Sequence, residues 1–158
     1  MPESNLVSIL FRLYSTILEE EHFETLDAEI VNEEYGYFKI KTIPFYLPKL
    51  AAGDVVWAEF KENEGMLTYR KTVKHSGNST IHIVLTDEQY MITDICKEFE
   101  QLGCKPRILN HKYIGLNIQA EIDYFPIKQL LELLEKKKVI GYAESCLSEK
   151  HQYKNHLL

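Results

Sequence analysis

The most informative local run of the chain is His75-Ser76-Gly77-Asn78-Ser79-Thr80. Its glycine and asparagine tolerate left-handed backbone, and three hydroxyls and an imidazole stand beside them. Such a loop presents backbone N–H groups and hydroxyls to an anion. Asp54, after the turn signal at Gly53, is the acid that would complete it. His75, Ser76, Asn78, Ser79, Thr80 and Asp54 therefore define one candidate site, for a small molecule or nucleotide. The run lacks the Gly-x-x-x-x-Gly-Lys spacing of a phosphate loop, and no helix follows it. The same residues also read as a tight turn whose side chains satisfy their own backbone.

A second cluster carries recognition chemistry. The chain has ten tyrosines, several of them, including Tyr35, Tyr37, Tyr46 and Tyr69, in its strand-rich half. Tyrosine supplies amphipathic contact area at low entropy cost. Beside acidic residues it suits docking onto a basic protein. Glu33, Glu34, Tyr35, Tyr37 and Trp57 are the expected contact residues. Trp57 is the only tryptophan. On a short strand it reads first as core and second as an interface anchor.

Catalytic patterns are missing. There is no Gly-x-Ser-x-Gly elbow. His75, His82 and His111 fall on or beside strands and read as surface or hydrogen-bonded groups. Glu19-Glu20-Glu21 reads as a solvated loop. Cys96, Cys104 and Cys146 are odd in number and lack short paired spacing, which argues against a disulfide framework and a zinc site. Cys96 lies on an apolar helix stripe and reads as a buried, inert thiol. No metal and no cofactor is expected, and no catalytic residue is assigned; an enzyme stays open only as the alternative, with a small-molecule or nucleotide site at the 75–80 loop.

Composition sets the frame. The 158 residues carry 18 Lys and Arg against 24 Asp and Glu, a formal charge of -6. That balance disfavours generic attraction to nucleic-acid phosphate or an anionic membrane. The N-terminus lacks the basic start of a secretory signal, and no apolar run approaches the ~20 residues of a membrane span. A cytoplasmic protein is expected.

The elements that must position these residues make an α+β protein in two parts. Residues 1–74 read as a β-rich subdomain. Its runs at 6–14, 26–32, 35–42, 55–60 and 66–73 suggest a small curled sheet or barrel. Phe38 and Ile40 face inward there, and Pro44 and Pro48 make 43–50 a structured loop. Residues 80–147 read as strand, helix, two strands, helix and strand, the split βαβ or ferredoxin-like order. In the first helix, Thr86 to Gln89 reads as a capping box and Gly103 as the stop. In the second, Asp123 reads as the cap and Pro126 as the start. Residues 148–158 read as a frayed tail.

Ile43-Pro44-Phe45, Gly53-Asp54-Val55-Val56, Ser76-Gly77-Asn78-Ser79-Thr80-Ile81 and Tyr113-Ile114-Gly115-Leu116-Asn117-Ile118 occur in this order, followed by the Pro126 helix. In that order the chain resembles a small bacterial family of uncharacterised proteins, a domain of unknown function. The resemblance transfers no catalytic residue. It implies an association with toxins of bacterial competition systems, in which such proteins act as immunity proteins or antitoxins. The expected function is thus an acidic, cytosolic protein-binding module that neutralises a cationic, nuclease-type toxin. The alternative is the small-molecule site at the 75–80 loop.

Overall fold

The structure is a computed structural model that describes residues 6–15 and 20–152. The chain forms two compact units, Met1–Ser76 and Gly77–Leu158. The fold is α+β, with mostly antiparallel sheets.

In the first unit, β1 (Leu6–Ser15), β2 (Glu20–Asn32), β3 (Tyr37–Ile40), β4 (Val55–Lys61) and β5 (Met66–Lys74) close into a barrel in chain order. Consecutive strands pair antiparallel. Five is an odd number, so the first and last strands run the same way and the closing contact is parallel. It is short, Ile9 against Leu67 and Leu10 against Thr68. Alternation decides which residues fill the interior. Ile9, Phe11, Leu26, Ala28, Phe38, Ile40, Val56 and Ala58 point in, and Leu47 and Leu50 from the 43–50 loop join them. That loop is tied down because the Glu24 carboxylate accepts from the backbone N–H groups of Phe45 and Tyr46, at 2.7 and 3.0 Å. The acidic run does not remain outside the sheet. Glu20 to His22 pair with Ser15 to Leu13, and β2 reaches 13 residues. Strand pairing with β1 outweighs the low strand propensity of glutamate, because edge positions facing water tolerate charge.

In the second unit the order is β6 (Ser79–Leu85), α1 (Ile92–Glu100), β7 (Lys105–Asn110), β8 (Tyr113–Ile118), α2 (Phe125–Lys136) and β9 (Ile140–Cys146). The sheet runs β7-β8-β6-β9. Ile81, Ile83 and Leu85 of β6 share one core with Ile114, Leu116 and Ile118 of β8. Ile95 and Phe99 of α1 and Ile127 and Leu131 of α2 belong to the same core. The opposite face of the sheet carries Thr80, His82 and Asn117, all buried.

Two local readings are corrected. The helix does not start at the Thr86 capping box. It starts at Ile92 after Met91, which makes no side-chain cap bond. Thr86 Oγ1 instead donates to the Lys138 carbonyl at 2.9 Å, and Asp87 accepts from the Gln89 N–H in a local turn. Asp123 does accept from the first helical N–H, that of Phe125, at 3.1 Å. The tail is not frayed up to residue 152. Ser148 starts a 3₁₀ turn at Glu149–His151, and the His151 side chain is buried. Residues 153–158 lie outside the described residues. No helix among the described residues is long and apolar enough to cross a membrane.

Candidate functional site

The turn between β2 and β3 builds an exposed aromatic surface. Gly36 adopts a φ of 76°, which glycine allows at no steric cost. Its N–H donates to the carbonyls of Asn32 and Glu33, and its own carbonyl accepts from Ala58 N–H at 3.0 Å. A Cβ at this position would meet the Ala58 oxygen at 2.9 Å and Trp57 Cδ1 at 3.2 Å, so the turn lies flat against β4. Tyr35 N–H donates to Asn32 Oδ1 and fixes the turn's tip.

Three aromatic rings gather there. Tyr37 and Trp57 are directly paired across β3 and β4. The Tyr35 and Tyr37 ring centroids lie 5.7 Å apart at 47°. Tyr35 is 63% exposed. Trp57 is half-buried on the barrel's outer surface, which corrects its reading as core. The barrel interior is filled by Phe38, Val56 and Ala58, so the alternate residue Trp57 must point out. Glu34, Tyr35, Tyr37 and Trp57 line one depression of ≈ 550 Å³, together with Glu59, Lys71 and Val73. Glu33 lies across the turn and lines a neighbouring depression with Ile30, Phe38 and Phe60. The Arg70 guanidinium stands 5.4 Å from the Trp57 ring and 3.4 Å from Glu59. The surface thus already holds one cation by ring face and carboxylate.

The residues of the 75–80 loop divide between the units. Asp54 is buried in the first unit. Its carboxylate accepts from Ser76 N–H at 2.8 Å and from Ala51 N–H at 3.1 Å, and His75 Nδ1 lies 3.3 Å away. Ser76 Oγ donates to the Ala52 carbonyl. In the second unit, Asn78 Oδ1 accepts from Ala120 N–H. Ser79 and Thr80 are fully buried. Ser79 Oγ accepts from Ser148 N–H at 2.8 Å and donates to His151 Nδ1 at 2.6 Å, while His151 Nε2 donates to the Gln119 carbonyl at 3.1 Å. The Gln119 carbonyl can only accept, so Nε2 carries a proton in that contact and Nδ1 faces the Ser79 hydroxyl. The Ser79 and His151 side chains are both buried within the unit.

In the first unit the Arg12 guanidinium is raised by its hydrogen bond to Glu64 and by the charges of Glu64 and Glu21. The other described groups that depart from ordinary values sit in the second unit. Burial would raise the Glu144 carboxyl. Hydrogen bonds from Lys128 Nζ at 2.8 Å and Tyr124 OH at 2.5 Å, with the lysine charge, outweigh it and hold Glu144 below the usual range. The Tyr124 phenol is raised by burial first and by that carboxylate second. Burial pushes the Cys104 thiol up to about 12, and raises that of Cys96. Thiols held protonated this way are poor nucleophiles. Among the described residues no cluster of three His, Cys, Asp or Glu could hold a metal ion.

Residues 24–142 match the model of a family described as a domain of unknown function (DUF4265), and the chain belongs to that family. The match begins in β2 and ends in β9, so it runs through both units. The chain is also similar to a solved structure described as a hypothetical protein from Neisseria gonorrhoeae. The two share 26% identity and a TM-score of 0.79 over 93% of this chain and 99% of that one. No curated protein matches the chain.

Proposed function

We propose that this chain is a protein-binding module whose docking surface is the aromatic, acidic face around the β2–β3 turn. The observation that carries this is one depression lined by Glu34, Tyr35, Tyr37, Trp57 and Glu59. Exposed tyrosine and tryptophan anchors with a charged rim are what a protein interface needs. The partner is a basic protein, and a lysine or arginine side chain of that partner lies against the rings between the two carboxylates. Charge distribution supports the basic partner. Residues 1–76 hold 8 Lys and Arg against 13 Asp and Glu, a net of -5, whereas residues 77–158 hold 10 against 11, a net of -1. The unit with the aromatic face carries nearly all of the net negative charge. A cytoplasmic immunity protein or antitoxin that covers the cationic cleft of a nuclease-type toxin fits this chemistry. In the second unit, the strand order β7-β8-β6-β9 and the shared core of both helices support a ferredoxin-like arrangement.

The test is affinity capture by the full chain at low salt, beside a Trp57→Ala, Tyr37→Ala variant of unchanged circular dichroism. The expected result is one stoichiometric basic protein, released by high salt and not captured by the variant. A partner captured equally by both chains would place docking elsewhere. A retained metabolite and no protein would replace this reading with the small-molecule one.

A further inference from the structure

A second cavity, of ≈ 300 Å³, opens in the first unit where β1 and β5 finish under the 43–50 loop. Its walls are apolar. Phe11 and Tyr69 stack there at 4.7 Å between centroids, and Leu47 and Leu50 close the loop side. Its polar lining has one sign. Among the described residues, Arg12, Lys49 and His75 line it and no acid does, in a unit where acids outnumber bases.

Those three groups differ in what they have left to give. Arg12 is already bound by Glu21 and Glu64. His75 has Nδ1 beside the buried Asp54 carboxylate, which orients the ring and leaves Nε2 for other partners. Lys49 makes no ion pair among the described residues. Its φ is 62°, a left-handed conformation that is uncommon for lysine, between the buried Leu47 and Leu50. Backbone held this way at a cavity rim is a reason to look for function.

We infer that this cavity binds a small monocarboxylate with a flat apolar body, its carboxylate on Lys49 and its body against the Phe11–Tyr69 stack. One ammonium that makes no ion pair among the described residues balances one negative charge. A phosphate would need more donors, and the lining offers neither a helix N-terminus nor a glycine nest to supply them. The volume is at the small end of ligand cavities, which sets the size of the body. This site shares no residue with the aromatic face and stands or falls independently of it.

The experiment is amide chemical-shift mapping on the full, isotope-labelled chain with two probes, 3-phenylpropanoate and the neutral 3-phenylpropanamide. The acid is expected to shift the amides of Lys49, Leu50, Thr72 and His75 saturably, and the neutral amide to bind at least about tenfold more weakly, as the loss of one charge-assisted contact requires. Lys49→Gly and Lys49→Asn both accept the left-handed backbone and remove the charge. Each should weaken the acid by a similar factor and leave the neutral amide unchanged. Equal binding of the two probes, shifts confined to other regions, no saturable shift, or full affinity in both variants would overturn the assignment. The comparison of acid with amide is made on the unaltered chain, so it decides even where a variant folds poorly.

Discussion

The Ser79 side chain is fully buried in the second unit. A hydroxyl in a Gly-Asn-Ser-Thr run invites a ligand, yet this one is enclosed between Ser148 N–H and His151 Nδ1. Its removal strands the buried His151 Nδ1 and the half-buried Ser148 N–H. Ser79→Ala should therefore destabilise the second unit by about 2–3 kcal/mol, read as a lower midpoint in urea. His151→Ala should do the same through the other end of the chain of bonds. If Ser79→Ala left the midpoint unmoved, the bonds would not carry that weight. His151 was out of reach for pattern reading because a polar terminal stretch has no periodicity, and its partner lies 72 residues away. The thiols were more legible, since Cys96 falls on the apolar stripe of α1. With Cys104 pushed up to about 12, its thiolate fraction at pH 8 is on the order of 10⁻⁴. Cys146, only half-buried, should react with a thiol reagent first, and Cys96 and Cys104 only as the protein unfolds. Rapid labelling of all three in the native protein would contradict this.

At the scale of elements, strands with clean alternation were readable and their exact pairing was not. Phe38 and Ile40 inward, and Tyr37 and Lys39 outward, follow from a period of two. The β4–β5 hairpin pairs Lys61 with Met66 and Ala58 with Tyr69, but a bulge then sets Trp57 opposite Lys71 instead of Arg70. No residue type announces that extra step, so Lys71 was not foreseen in the aromatic depression. Glu59 could have been, since it lies two residues from Trp57 on the same face. The turn holding Tyr35 depends on Gly36. Gly36→Ala should cost about 1–2 kcal/mol for the left-handed backbone alone, and more for the clash with the Ala58 carbonyl. It should also change the emission of Trp57, the single tryptophan. Unchanged emission would mean that the turn does not set the tryptophan's position. Between α2 and β9, the Lys128–Glu144–Tyr124 cluster gives a pH signature. The Glu144 carboxyl is lower in the folded state than in the unfolded chain. Its contribution is thus fully present above the unfolded value of about 4.3 and is lost as pH falls through the folded value. Glu144→Gln should flatten the acid limb of stability measured by urea denaturation below about pH 4.5. An acid limb of unchanged slope would assign the loss to other carboxylates.

For the whole molecule, the informative quantity is where the charge lies. A net of -5 on residues 1–76 against -1 on residues 77–158 gives a field that draws a cationic protein toward the barrel unit. On the proposed reading, that field acts on encounter, whereas the rings of Tyr35, Tyr37 and Trp57 act on the bound state. The two contributions separate kinetically. Neutralising Glu33 and Glu34 together as Gln should slow association with the captured basic partner at low ionic strength. The difference should shrink as added salt shortens the screening length toward about 8 Å and below. Trp57→Ala should instead speed dissociation, with little change in the salt dependence of association. Glu33 lines the neighbouring depression and not the aromatic one, so its effect is expected wholly in the association rate. Stopped-flow association and dissociation of the three chains across a salt series measures both quantities. Were the glutamine pair to alter only dissociation, the carboxylates would be contact groups in a short-range interface, and the uneven charge of the two units would have no part in finding the partner.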